Sequence, residues 1–465
     1  MGGNLYRSPM AGAGLVARLR SSARLSALYR GLRGFVLGPP RPPKVVTPPA
    51  PKPASGYGVG LLRGIAPVPS PRSRYRVNLV VPTVDAARTF GGIRTALDVF
   101  DAIGAGSGER RIISLGAFGV VADDAIATYA HVEGSDDPED ALQLIVLDGP
   151  VAPLAVRSND VFLATFWTTA EAVGRIRAWQ ASTFGSAPAR FAYLIQDYEP
   201  GFYPSSGQSS LARATYTNLS ETIAIFNTSL LRDFFHASGI SFAREFAFEP
   251  RLLPALRRAM TSPSVKRSRT IVIYGRPDTP RNAFPAIIDG LAAWRTSDPQ
   301  AAGWRLVSVG QTHPDIDLGG GLLLESLGKL ALDAYAGLLR TSAIGISLMV
   351  SPHPSYPPLE MAHLGMLVLT NGYEGKDLSA WHSNIRSTDD LSARAIAAQL
   401  SELCRAFEAD PEAGDAGRPL RPDFIAETSA FAFADQVAAA LREGAERDTA
   451  GPAASTDRPE ALAPH

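Results

Sequence analysis

Acidic residues are missing from the start of the chain. No Asp or Glu precedes Asp85, whereas thirteen Lys and Arg residues lie between Arg7 and Arg76. The whole chain sums to a formal charge of +0, so residues 85–465 carry thirteen excess acids, and the basic part is an extension of the body. Cysteine is nearly absent. Cys404 alone can form neither an intrachain disulfide nor a cysteine-based metal cluster, which suits a reducing compartment, the cytoplasm. No apolar run reaches the ~18 to 20 uninterrupted residues that a membrane-spanning helix needs. There is also no GxGxxG followed by an acidic residue at the end of a clean second strand, which argues against a nicotinamide dinucleotide site and an oxidoreductase.

What remains is a chain of 465 residues, 45% hydrophobic and 19% charged, long enough for two ordinary domains. Between Leu15 and Val36, leucines at roughly helical spacing alternate with Arg18, Arg20, Arg24, Arg30 and Arg33. A basic amphipathic helix of this kind can lie on an anionic membrane surface, and a disordered basic tail is the plainer reading. From Gly38 to Ser73, Pro and Gly crowd the sequence, which predicts an extended linker. Residues 1–73 are thus expected to be largely disordered, as are residues 448–465, rich in Ala, Pro and small polar side chains.

From Arg74 the pattern changes. RVNLVVPTV reads as a strand buried on both faces, and further buried runs (ERRIISLGA, LQLIVLDGP, DVFLATFW, RFAYLIQDY, ETIAIFNT) alternate with helical stretches. A polar, basic interruption near TSPSVKRSR separates this series from a second one that starts at RTIVIYGRP. The expected architecture is α/β, with Rossmann-like domains over 74–265 and 266–420 and a final helical segment over 421–447 that packs back on the first domain. Two such domains create a cleft at their C-terminal strand edges, where open parallel sheets bind ligands.

Five segments place chemistry at those edges. In TFGGIRTAL, Gly91 and Gly92 open a helix whose amides can face a phosphate, although a tight turn explains them equally. In YGRPDTPRN, Arg276 and Arg281 follow a buried strand and can clamp a diphosphate with bidentate hydrogen bonds. Lys329 follows Glu325 by four residues, which reads locally as an ordinary Glu–Lys pair. In SPHPSYPPLEMAHLG, His353 and Tyr356 sit in a Pro-rich loop, and Glu360 begins a helix where its carboxylate can accept from sugar hydroxyls or answer the helix dipole. In YLIQDYEPGFYP, the residues Gln196, Asp197, Tyr198 and Glu199 combine carboxylates with aromatic rings, a set able to bind a sugar or to pack as a plain loop.

Taken in order, FGGIRTAL, LIQDYEPGFYP, IAIFNTSLL, YGRPDTPRNAF, the Lys329 segment and SPHPSYPPLEMAHLG resemble the retaining glycosyltransferases of the GT-B fold, family 4, and within them the WsaF-type rhamnosyltransferases. The resemblance spans about Arg76 to Ala430. It implies two Rossmann-like domains facing across a cleft, and transfer of L-rhamnose from dTDP-L-rhamnose to a saccharide acceptor with retention and no essential metal. It also implies that Arg276 and Lys329 bind the diphosphate with help from Arg281, that Glu360 holds the ribose, and that Gly92 contacts the donor. Many relatives carry a second glutamate eight positions before Glu360, where this chain has Pro352, and a His-Asp pair where it has Gln196 and Asp197. A donor other than dTDP-rhamnose, such as a UDP- or GDP-sugar, and a non-catalytic sugar-nucleotide-binding subunit remain open on these residues. No nucleic-acid partner is expected.

Overall fold

The structure, a computed structural model, describes residues 64–84, 91–116, 126–147, 151–263 and 265–446. The amphipathic segment Leu15–Val36 and the tail 448–465 lie outside the described residues. The first domain carries β1 (Gly64–Pro69), β2 (Arg76–Val81), β3 (Arg110–Ser114), β4 (Ala130–His131), β5 (Leu142–Val146), β6 (Val151–Val156), β7 (Asp160–Ala164), β8 (Phe191–Ile195), β9 (Thr222–Asn227) and β10 (Arg244–Phe248). Eight of these strands form one sheet in the order β10-β9-β8-β7-β2-β3-β5-β4, and every pairing in it is parallel. The second domain carries β11 (Ser268–Gly275), β12 (Arg305–Gly310), β13 (Ile316–Asp317), β14 (Leu323–Gly328), β15 (Ser342–Ile346), β16 (Leu367–Asn371) and β17 (Ile385–Thr388), ordered β13-β14-β12-β11-β15-β16-β17. There only β13 runs antiparallel.

Both sheets are covered on two faces. β2, β7, β8, β9 and β15 are buried along their whole length, as their largely apolar sequences require of parallel strands under helices. The helix Ala434–Glu446 returns to the first domain: Phe433, Val437 and Leu441 join the core that holds Val77, Phe100 and Leu163, and the Phe433 ring lies 5.5 Å from that of Phe246.

The Pro-rich linker ends earlier than its composition predicts. Gly64–Pro69 pairs in parallel with β6, in register from Gly64 with Val151 to Pro69 with Val156. Ser70 N–H bonds the Val156 carbonyl at 2.9 Å, so by the two-residue alternation of a strand Pro67 and Pro69 turn their donor-less nitrogens away from the partner. A second correction concerns Glu325. It lies within β14 and pairs with Arg305 on β12 at 2.9 Å, so it does not form a helical pair with Lys329.

A buried ionic network ties the strand starts of the first sheet, at the edge away from the cleft. Arg76 clamps Asp160 through two 2.8 Å bonds and reaches Asp137 at 2.8 Å, and Arg157 bonds Asp137 and Glu109. Arg76, Arg111, Arg157 and Asp160 are all almost fully buried. Burial pushes the Arg111 guanidinium down to about 9, with Arg76 adding to the effect and Asp160 opposing it.

Candidate active site

Parallel topology puts the loops that follow β2, β8 and β9 on one rim, and the loops that follow β11, β14, β15 and β16 on the other. Backbone conformation marks the same rims. The four non-glycine residues with left-handed φ among the described residues are Thr228 (115°), Ala283 (49°), Ser355 (66°) and Glu374 (43°). They fall in the loops after β9, β11, β15 and β16 respectively. Such conformations are costly and persist where surrounding contacts over-determine them, as they do at functional sites.

On the first rim, Gly91 and Gly92 open the helix Gly91–Gly104. A Cβ on Gly92 would stand 3.0 Å from Gln196 Oε1, so the helix start lies close against Gln196. Gln196 Oε1 is buried and has no hydrogen-bond partner. Asp197, beside it, is 7% exposed and accepts from Tyr198 N–H at 2.9 Å. Glu199 is placed differently from its sugar-binding expectation. At 1% exposure it accepts from Trp167 N–H at 2.6 Å and from the Tyr193 hydroxyl at 2.9 Å, which makes it a buried acceptor at the start of the helix Trp167–Phe184. Burial holds its carboxyl well above the usual range. Tyr198 likewise turns inward, against Phe234, Phe235 and Tyr216, and away from a ligand-facing role.

On the second rim, β11 ends at Gly275, where a Cβ would collide with Ser308 Oγ at 2.1 Å; the absent side chain brings the chain close to β12 just before Arg276. Arg276 hydrogen-bonds Tyr274, and both Arg276 and Glu360 act electrostatically on the Tyr274 phenol, so the three share one neighbourhood. Glu360, in the helix Pro357–His363, accepts from the Tyr335 hydroxyl at 3.0 Å. Burial pushes its carboxyl up to about 7, against the lowering effect of that bond. Lys329 is exposed at the C-terminal end of β14, with β12 between it and β11.

The rims meet. Arg281 Nε lies 3.6 Å from Asp197 Oδ2, and its guanidinium stacks over the Phe202 ring at 4.2 Å. Ser351 Oγ donates to Asp197 Oδ1. The Tyr356 hydroxyl accepts from Asn227 Nδ2 at 3.0 Å and also bonds Thr95, so this loop touches two elements of the first domain. Burial pulls the Arg281 guanidinium down, with Asp197 counteracting it and Arg276 reinforcing it. The product is a cleft edge with two guanidiniums, a half-buried carboxyl and several interdomain polar contacts, suited to an anionic leaving group joined to a hydroxylated ligand.

Residues 76–229 match the family described as WsaF, N-terminal domain, and residues 269–401 match that described as WsaF, C-terminal domain. The chain belongs to the WsaF family. A relative described as O-antigen biosynthesis protein RfbC, from Myxococcus xanthus, is 32% identical over 226 residues, which is 49% of this chain and 16% of that protein. The chain therefore covers a small part of that relative's length. Among solved structures, WaaG, a glycosyltransferase involved in lipopolysaccharide biosynthesis, aligns over 81% of this chain and 100% of its own at 14% identity and a TM-score of 0.48. Sucrose-phosphate synthase from Thermosynechococcus elongatus aligns over 80% and 94% at 12% identity and a TM-score of 0.44.

Within this WsaF-family chain, Arg276, Arg281, Glu360, His353, Tyr356 and Asp197 gather at the facing rims, Gly92 and Gln196 border them, and Glu199 and Tyr198 belong to the packing. Asn227, Tyr335 and Lys376 escaped the sequence reading. Asn227 left a signal, a polar residue ending the otherwise apolar run TIAIFN. Tyr335 and Lys376 left none, because nothing local distinguishes them from exposed helix and turn residues.

Proposed function

We propose that this chain transfers a sugar, L-rhamnose from dTDP-L-rhamnose, to a saccharide acceptor with retention of anomeric configuration and without an essential metal. The setting is the synthesis of a surface polysaccharide, O-antigen being the role named for the M. xanthus relative. The observation that carries this reading is the convergence of Arg276, Arg281 and Glu360 on the edge that meets Asp197. In the mechanism, departure of the nucleoside diphosphate builds negative charge on the leaving oxygens. Arg276, Lys329 and Arg281 neutralise it with fixed cations in a cleft from which water is excluded. Glu360 accepts the ribose hydroxyls, and the helix that opens at Gly91 turns its N-terminal amides to the donor.

The test is a thermal-shift series with dTDP, dTDP-L-rhamnose, UDP, GDP and NADH at equal concentrations. A ligand at a hundredfold excess over its dissociation constant stabilises the native state by roughly 2.7 kcal/mol. A shift confined to the dTDP compounds supports rhamnose. Preference for UDP or GDP replaces the donor, and a response to NADH alone removes the reading. Transfer that survives EDTA supports metal independence.

A further inference from the structure

A lysine without an assigned role stands at the same rim. Lys376 leaves β16 through the turn Tyr373–Lys376, closed by reciprocal backbone bonds of 3.1 and 2.7 Å. The turn folds the side chain inward, leaving it 3% exposed, and Nζ donates to the Met349 carbonyl at 2.5 Å. An ammonium offers three N–H donors. The other two have no partner among the described residues, and no carboxylate there stands within 4 Å of Nζ. Asp197 supplies the opposing charge, with its own oxygens already engaged by Ser351, Tyr198 N–H and Arg281.

His353 repeats the pattern beside it. Its Nδ1 accepts from Ser355 N–H at 3.0 Å, so the neutral ring carries its proton on Nε2. That Nε2 is buried and unpartnered, in a residue 9% exposed. Lys376, Asp197 and Arg281 all act electrostatically on this ring, which places the four groups together. Buried donors without acceptors are costly, and their concentration at a strand edge points to a ligand that completes them.

We infer that Lys376 and His353 form the pocket for the sugar ring of the donor and hydrogen-bond its hydroxyl oxygens. The inference rests on the glycosyltransferase reading above. A phosphate fits these groups less well. The Asp197 carboxylate beside them repels an anion and accepts from a hydroxyl. Burial also holds the His353 imidazole down at about 4 and the Lys376 ammonium down at about 7, so neither is a firm cation. The planar guanidiniums of Arg276 and Arg281 suit the diphosphate instead.

The experiment is isothermal titration of the full chain and of its Lys376→Met variant with dTDP against dTDP-L-rhamnose, UDP against UDP-glucose, and GDP against GDP-mannose. In the wild type, one nucleotide sugar binds more tightly than its bare nucleotide. The variant is expected to bind the bare nucleotide as the wild type does and to lose that sugar-dependent gain by about tenfold, the worth of one buried hydrogen bond. If thermal melting finds Lys376→Met unfolded, His353→Gln makes the same comparison and is expected to lose the gain severalfold. A gain that survives in the folded variant overturns the inference and leaves the glycosyltransferase reading intact, as does a wild type that binds a nucleotide with no sugar-dependent gain. A wild type that binds no nucleotide at all overturns both.

Discussion

At Arg281 one side chain is fixed by two neighbours from the other rim: its charge is balanced by Asp197 and its planar face is covered by Phe202. Arg276 and Lys329 complete the cationic set of the proposed mechanism, and replacing either with Ala is expected to lower kcat by roughly 10²- to 10³-fold, the scale of a lost electrostatic contact in a transition state, with Tm unchanged. Steady-state assays and melting curves on the two variants check this. Glu360 supplies a pH test. Burial pushes its carboxyl up to about 7, so the charged form proposed to accept ribose hydroxyls is lost as pH falls through that value. Nucleotide affinity should weaken on acidification, and Glu360→Gln should flatten the profile. In the ionic network the carboxyl is shifted the other way, with the same loss on acidification. Burial works against the charge of Asp160, but Arg76 and Arg111 outweigh it and hold its carboxyl below the unfolded value. Its stabilising contribution is therefore complete above the ordinary carboxylate range and is lost on acidification. Asp160→Asn, which leaves Arg76 buried beside a neutral amide, is expected to cost about 3–5 kcal/mol in urea unfolding.

Among the elements, the central strands were readable because burial on both faces favours sequences dominated by apolar residues, as in RVNLVV and TIAIFN. β1 and β14 were not. β1 contains two prolines and forms only because β6 lies alongside, and β14 carries Glu325 and Ser326, whose polarity hides a strand near the sheet's margin. The same reasoning divides the site. Arg276, Arg281 and Glu360 could be found from their positions just beyond buried strands, while the inward turn of Lys376 and the burial of Glu199 arise from tertiary packing. The helix Ala434–Glu446 bears a further prediction. Phe433 is 7% exposed within the first domain's core, so Phe433→Ala should destabilise that domain by about 3–5 kcal/mol in denaturant unfolding, although the residue lies beyond the second domain in sequence.

At the scale of the whole molecule, charge is segregated along the chain, with the excess bases before Asp85 and the excess acids after it. No helix among the described residues is long and apolar enough to cross a membrane. Juxtaposed to an anionic surface, basic residues contribute about 1 kcal/mol each. The full chain is expected to float with phosphatidylserine vesicles at low salt, and a version beginning near Tyr75 to remain behind; equal flotation of both would remove the membrane role of the extension. The contact of Arg281 with Phe202 and Asp197 also limits what can be built from this scaffold. A chimera that imports a foreign second half to change the donor would separate the guanidinium from the ring and carboxylate that orient it. Donor exchange by recombination therefore has to move Phe202 and Asp197 with the imported half, so the crossover unit is the paired rims and does not coincide with the domain boundary.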